Sequence, residues 1–296
     1  MTSINDVLKA SKGLPVDDIF AELWGRKLSS DYTIATYTGT LPAVLTGTKA
    51  GYLHRYKIYG NTEQTGTPTP ENPIVPSECG ERTANLFNSQ DVAIGKYITS
   101  NGTEGTSGGS GDLALNHSAM VAVSPSTSYT FFINKSTTTD ALSNAFCWFD
   151  ENGTIITRNL FDVRSWETKI TNTYQSPSNA AFLIINFRGT TDKFASGMIV
   201  EGSTVPVNYI PYGYKLPLTS AGQGVDIYLG DDTLSTEEYV DSETGKIYHM
   251  VDGVLTPTDP PVQFPQIPTT AGSTTISWAG SGLAPSEVEF EYERRR

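Results

Sequence analysis

AFCWFDENGTIIT, residues 145–157, decides the fold reading. Two runs rich in aromatic and β-branched residues, Ala145 to Asp150 and Ile155 to Thr157, flank Glu151-Asn152-Gly153, a turn-forming group. Runs this short suit strands better than helices, and the turn between them folds one back on the other as a hairpin.

The same pattern recurs on both sides. Val92 to Ser100, Ala119 to Val123, Ser128 to Ile133, Trp166 to Thr171, Ala181 to Phe187 and Gly197 to Glu201 are further strand candidates at regular spacing. Short strands in such a series predict a two-sheet sandwich or jelly roll over residues 86–212. The Gly-rich run from Asn101 to Asp112 reads as a mobile loop. No Lys-Ser or Lys-Thr pair closes it as a phosphate cradle would require.

Outside this unit the pattern changes. In residues 1–30, Ile4, Val7, Leu8, Ile19, Phe20, Leu23 and Trp24 recur at three- and four-residue spacings, which predicts two short amphipathic helices. A helical segment so short needs something to pack on, so it is expected to act as an anchor. Residues 31–61 alternate with period two and predict a small β-unit. Residues 62–85 carry Pro68, Pro70, Pro73 and Pro76, which forbid helix and inner strand and predict a semi-rigid connector. Residues 213–296 predict a C-terminal β-domain. It holds the Asp252-Gly253 hairpin and a last strand in which Val288, Phe290 and Tyr292 alternate with Glu289, Glu291 and Glu293. The fold class is mainly β, with a short N-terminal helical segment.

Composition excludes several functions. A net charge of −12, with Arg294, Arg295 and Arg296 as the one basic cluster, argues against nucleic acid as a partner. No apolar run reaches a membrane span, and the first residues lack the apolar core of a signal peptide. Cys79 and Cys147 make neither a disulfide framework nor a zinc site. The zinc-protease, nucleophile-elbow, dinucleotide and phosphate-loop motifs are absent. His54, His117 and His249 lie far apart, and the acid pairs Asp231-Asp232 and Glu237-Glu238 are expected to be solvated. No catalytic residue, metal ligand or cofactor site is assigned.

Aromatic residues remain. Successive strand residues face opposite sides, so Trp148 points away from Phe149 and Phe131 away from Phe132. One of each pair is expected to leave the core and offer a ring face to a sugar. Trp148, Trp166 and Phe131 are the candidate ligand-binding residues. The competing reading packs the outward ring beneath a loop or against a sister subunit.

The stretch RYKIYGNTEQTGTPTPENPIVPSECGERTANLF, residues 55–87, resembles a signature of minor structural proteins encoded by phages and prophages of Gram-positive and gut bacteria. Its elements are I-x-G-N-T at Ile58 to Thr62, Q-x-G-T-P-x-P-x-x-P at Gln64 to Pro73, and G-E-R-T-x-N-L-F at Gly80 to Phe87. Met198 to Leu218 is similar to the matching exit sequence, whose E-G-S-T-x-x-x-x-Y-x-P-Y run closes a carbohydrate-binding-like jelly roll. The resemblance implies a non-enzymatic virion component, assembled in the bacterial cytoplasm, of tail, tail-fibre or baseplate type. On this reading the N-terminal segment docks on other virion proteins, and the connector projects a module toward host-envelope or gut glycans. A homotrimer is expected, since multivalency strengthens a weak sugar site. A head fibre or capsid decoration protein is the alternative, and an envelope-glycan hydrolase a more distant one.

Overall fold

A computed structural model describes residues 31–70, 73, 75–108, 115–134, 144–161, 169–188, 195–204, 206–260 and 264–296. The expected helical anchor over 1–30 and the candidate Trp166 lie outside the described residues. Within them the protein is mainly β, built of antiparallel strands. It divides into two units. One joins the described residues up to Glu81 with Lys215–Leu229 and Thr233–Arg296, and the other holds Arg82–Tyr214 with Gly230–Asp232.

In the first unit one sheet runs in the order Gln223–Gly230, Tyr214–Ser220, Gly272–Trp278, Ala43–Thr48, Glu287–Arg295, Arg55–Tyr59, Tyr239–Asp241, Lys246–Val251 and Val254–Thr258. The strand Glu287–Arg295 is central. Tyr32–Gly39 pairs along one edge of it, from Tyr32 opposite Arg295 to Gly39 opposite Val288. Arg55–Tyr59 pairs along the other, with Ile58 opposite Val288 and Tyr56 opposite Phe290. Period-two alternation explains why it can sit there: Val288, Phe290 and Tyr292 are buried while the intervening glutamates face outward. Val288, Ile58, Val240 and Ile247 follow one another across four strands as a single buried row. The stretches 31–61 and 213–296, expected as separate units, therefore interleave in one sheet. A few short strands expose too much apolar surface to stand alone, and merging them covers it.

The proline-rich stretch departs from expectation in the same unit. Its two ends pair with each other, Thr62 opposite Glu78 and Glu63 opposite Ser77. Cys79 then bridges to Leu234 in the same unit. The two described ends of the segment return to one place, as those of a loop do and those of a projecting arm do not; a proline fixes φ at its own position and leaves the direction of the longer segment open.

The second unit holds two main sheets. One runs Ile155–Leu160, Asn144–Phe149, Phe182–Arg188, Leu115–His117 and Ala93–Ile94, with Val121–Ala122 also on Phe182–Arg188. The other is Lys169–Gln175, Ser128–Asn134 and Met198–Glu201. Tyr129 and Phe131 of the smaller sheet meet Trp148, Phe146, Leu183, Ile185 and Phe187 of the larger in one buried cluster. The rings of Tyr129 and Trp148 lie 6.1 Å apart, and those of Phe131 and Phe146 lie 5.4 Å apart. The hairpin that opened the sequence reading is present, with Asp150 Oδ1 accepting the N–H groups of Asn152 and Thr154.

Part of the Gly-rich run is also ordered into a hairpin. Glu104–Thr106 pairs with Lys96–Ile98, and Gly102 stands where a Cβ would come within 2.9 Å of Ile155. Residues 109–112 of that run lie outside the described residues. Asn186 fastens this hairpin, its Oδ1 accepting from Ile98 N at 2.9 Å and its Nδ2 donating to Ile98 O at 2.7 Å. Beneath it Ile98, Cys147, Phe149 and Ile184 form a second buried cluster, so the larger sheet is covered on both faces.

Both cysteines are buried free thiols. Burial pushes the Cys79 thiol up to about 12 and the Cys147 thiol up to about 11, the latter against a small opposing pull from Arg158. Thiolate is the reactive form, so neither should react with an aromatic disulfide reagent at pH 8 in the native protein, and both should react after denaturation. Rapid native labelling of either would contradict this packing.

Candidate binding surfaces

Two of the candidate ligand-binding residues are core residues. Trp148 is 1% exposed and Phe131 is 0% exposed, each ringed by other aromatics, so neither offers a face to a ligand. The reasoning that one of each neighbouring pair must leave the core failed at Trp148 and Phe149, because the Lys96–Thr106 hairpin roofs the second face and buries Phe149 too. At the other pair the outward member is Phe132, half-buried.

The residues that carry the family resemblance have a visible structural task in the second unit. Asn85, 0% exposed, is the hub. Its Nδ2 donates to Ile210 O at 2.9 Å and Gly197 O at 3.2 Å, and its Oδ1 accepts from Phe87 N at 2.9 Å and Ile199 N at 3.1 Å. Leu86 N donates to Ile199 O, and Thr83 N to Gly213 O. Arg82 lies between two tyrosines, its guanidinium 4.8 Å from the Tyr212 ring and 5.3 Å from that of Tyr214. Gly213, at φ +111°, has no room for a side chain, since a Cβ would fall 1.8 Å from Gly230 O. The entry stretch R-T-A-N-L-F and the exit stretch ending in Y-G-Y are thus laced together as one clasp.

Outward aromatics gather instead on the first unit. Tyr59, Tyr239 and Tyr248 are cross-strand neighbours on the face opposite the Ile58, Val240 and Ile247 row, and all three are half-buried. Tyr239 stacks on Tyr248 at 4.5 Å and 13°, and the Tyr59 ring lies 5.2 Å from Tyr239. Lys57 Nζ sits 5.5 Å from the Tyr239 ring centre. Tyr59 Oη donates to Glu289 Oε1 at 2.8 Å. Burial, and then the Glu289 carboxylate, push the Tyr59 phenol well above its usual range, so it stays a neutral donor. Burial likewise raises Tyr239. Beside the tyrosines Arg55 forks onto Asp241 through Nε at 3.2 Å and Nη2 at 2.8 Å, and reaches Glu243 through Nη1 at 2.7 Å. Only the alternation of Arg55, Lys57 and Tyr59 was readable beforehand; that Tyr239 and Tyr248 line up beside it depends on strand order.

Each of the three histidines weighed in the sequence lies beside a glutamate. His117 Nε2 lies 3.2 Å from Glu104, His249 Nδ1 3.6 Å from Glu238, and His54 Nε2 3.8 Å from Glu293. Glu238 is buried rather than solvated as expected. Burial acts to raise its carboxyl, but the N–H groups of Met250 and Ser235 outweigh it and hold the group below the usual range. This carboxylate closes the turn that leads into Tyr239–Asp241. Among the described residues no three acidic, histidine or cysteine side chains gather as metal ligands, and no helix is long and apolar enough to cross a membrane.

The fold defines a mainly-β protein of antiparallel sheets. No family model, curated protein or solved structure matches the chain.

Proposed function

We propose that this protein is a structural component of a bacteriophage particle, of tail or fibre type, that presents a glycan-binding surface to the bacterial envelope. The observation that supports the reading is the clasp: the two sequence stretches that resemble the entry and exit of a phage structural module converge on Asn85, as the boundaries of one inserted domain should. On this reading the second unit is a jelly roll, its two sheets closing over the Phe131, Phe146 and Trp148 cluster. Mass spectrometry of particles purified from the bacterial strain that encodes the chain should find it as a stoichiometric component, and its absence from intact particles would sink the proposal. Labelled antibody on those particles separates a tail position from the head-fibre alternative.

The glycan surface belongs, in this proposal, to Tyr59, Tyr239 and Tyr248 of the first unit rather than to Trp148 and Phe131. Half-exposed rings beside Arg55, Lys57 and Glu243 supply both an apolar contact and groups that bond hydroxyls. Replacing Tyr248 by Ala should lower affinity for soluble envelope saccharides about tenfold, or ~1.4 kcal/mol. The check is titration calorimetry with cell-wall polysaccharide fragments; unchanged affinity would remove this surface from the account.

A further inference from the structure

Among the described residues, the strand Tyr32–Gly39, YTIATYTG, is paired along one of its edges. Its ladder runs along Glu287–Arg295, and Arg296 N donating to Asp31 O continues the alternation. In an antiparallel pair alternate residues turn their N–H and C=O groups away from the partner. Here those residues are Tyr32, Ile34, Thr36 and Thr38, and no strand among the described residues pairs with them. Ile34, one of the four, is 38% exposed.

An open edge is a template for another strand, and proteins ordinarily guard it with a charge or a proline. The other long edge strands here follow that rule. Gln223–Gly230 contains Asp226, Val254–Thr258 contains Pro257, Ile155–Leu160 contains Arg158, and Lys169–Gln175 begins with a lysine. Tyr32–Gly39 holds neither charge nor proline, and its residues are β-formers almost throughout.

We propose that this edge joins two copies of the chain, antiparallel, about a two-fold axis through Ala35. The register follows from the groups that point outward. Tyr32 must face the second copy's Thr38, and Ile34 its Thr36, so that all four outward residues exchange bonds; Ala35 then faces Ala35 at the axis, where a small side chain lets the backbones approach. Net charge of −12 on each copy opposes association in general. This strand avoids the penalty, because the glutamate-bearing strands Glu287–Arg295 of the two copies end up three strand spacings apart, about 14 Å, beyond the screening length of ~8 Å at physiological salt. Such a contact is isologous and closes after two copies, in place of the three-fold assembly expected from the sequence.

Sedimentation velocity of the full chain tests it. The wild type should run at twice the chain mass, and Thr36→Pro, which removes an outward N–H that has no partner strand among the described residues, should halve that. Thr36→Lys should do the same by placing a charge on the edge, whereas Thr256→Lys on the guarded hairpin should leave the twofold mass. Single-chain mass at millimolar concentration, a threefold mass, or a twofold mass that survives both Thr36 variants would overturn the proposal. If the Thr36 variants misfold, Ala35→Cys decides. Air oxidation should cross-link it into covalent dimers across the axis while Thr38→Cys stays uncrosslinked, and equal cross-linking of the two would refute the register.

Discussion

Replacing Asn85 by Ala should cost the second unit about 4 kcal/mol. The residue is fully buried and makes four hydrogen bonds, two as donor and two as acceptor, all to backbone groups. An alanine leaves the N–H groups of Phe87 and Ile199 without their acceptor in a site closed to water, and each orphaned buried donor costs ~1–3 kcal/mol. Against a total stability on the order of 5–15 kcal/mol for a domain, that is enough to populate the unfolded unit under mild denaturant. Asn85→Asp should be comparably harmful, since it keeps the acceptor but loses both donated bonds and buries a charge. Chemical denaturation followed by tryptophan fluorescence, in a background with Trp24 and Trp278 replaced by Phe so that the signal comes from the second unit, gives the number. A loss below 1 kcal/mol would mean that the clasp does not depend on its central amide.

Ending the chain after Ser286 should abolish the first unit altogether. The strand removed is the partner of Tyr32–Gly39 on one side and Arg55–Tyr59 on the other, and it carries Val288, Phe290 and Tyr292 into the core. Its loss would expose two ladders at once and strip three buried side chains. The graded version is Phe290→Ala, whose ring packs 6.3 Å from Tyr37; large aromatic-to-alanine changes in cores cost ~3–5 kcal/mol. Hydrogen exchange reads both. Amides of Thr33, Ala35, Tyr37 and Gly39, which face the strand removed, and those of residues 55–59 should lose protection in the truncated chain and exchange faster in Phe290→Ala, and retained protection after truncation would show that the sheet assembles without its central strand.

Much of the strand content was legible because it is written locally. The runs at Ser128, Ala145, Ala181 and Gly197 all became strands within a residue or two, since aromatic and β-branched alternation acts over a few neighbours. Partnership between distant segments was not legible. Nothing in YTIATYTG says that its neighbour is the distant strand Glu287–Arg295, so 31–61 and 213–296 read as separate bodies. The candidate site failed for a related reason: one of Trp148 and Phe149 was expected to meet solvent, with Trp148 as the candidate, but Trp148 lies in the core between the sheets and Asn186 ties the Lys96–Thr106 hairpin across Phe149. Asn85 stood inside the stretch that carries the resemblance, yet its role needed the exit stretch beside it, and only folding brings the two together.

The antiparallel pairing of Tyr32–Gly39 with Glu287–Arg295 also fixes how the first unit would respond to tension. Tyr32 and Arg295 stand at the same end of the pair, so a pull applied between them loads one hydrogen-bonded rung at a time and peels the two strands apart. Shear resistance, in which every rung bears the load together, is unavailable in that geometry. Force entering through Tyr32 and leaving through Arg295 would therefore open this seam well before it disturbed the rows behind it.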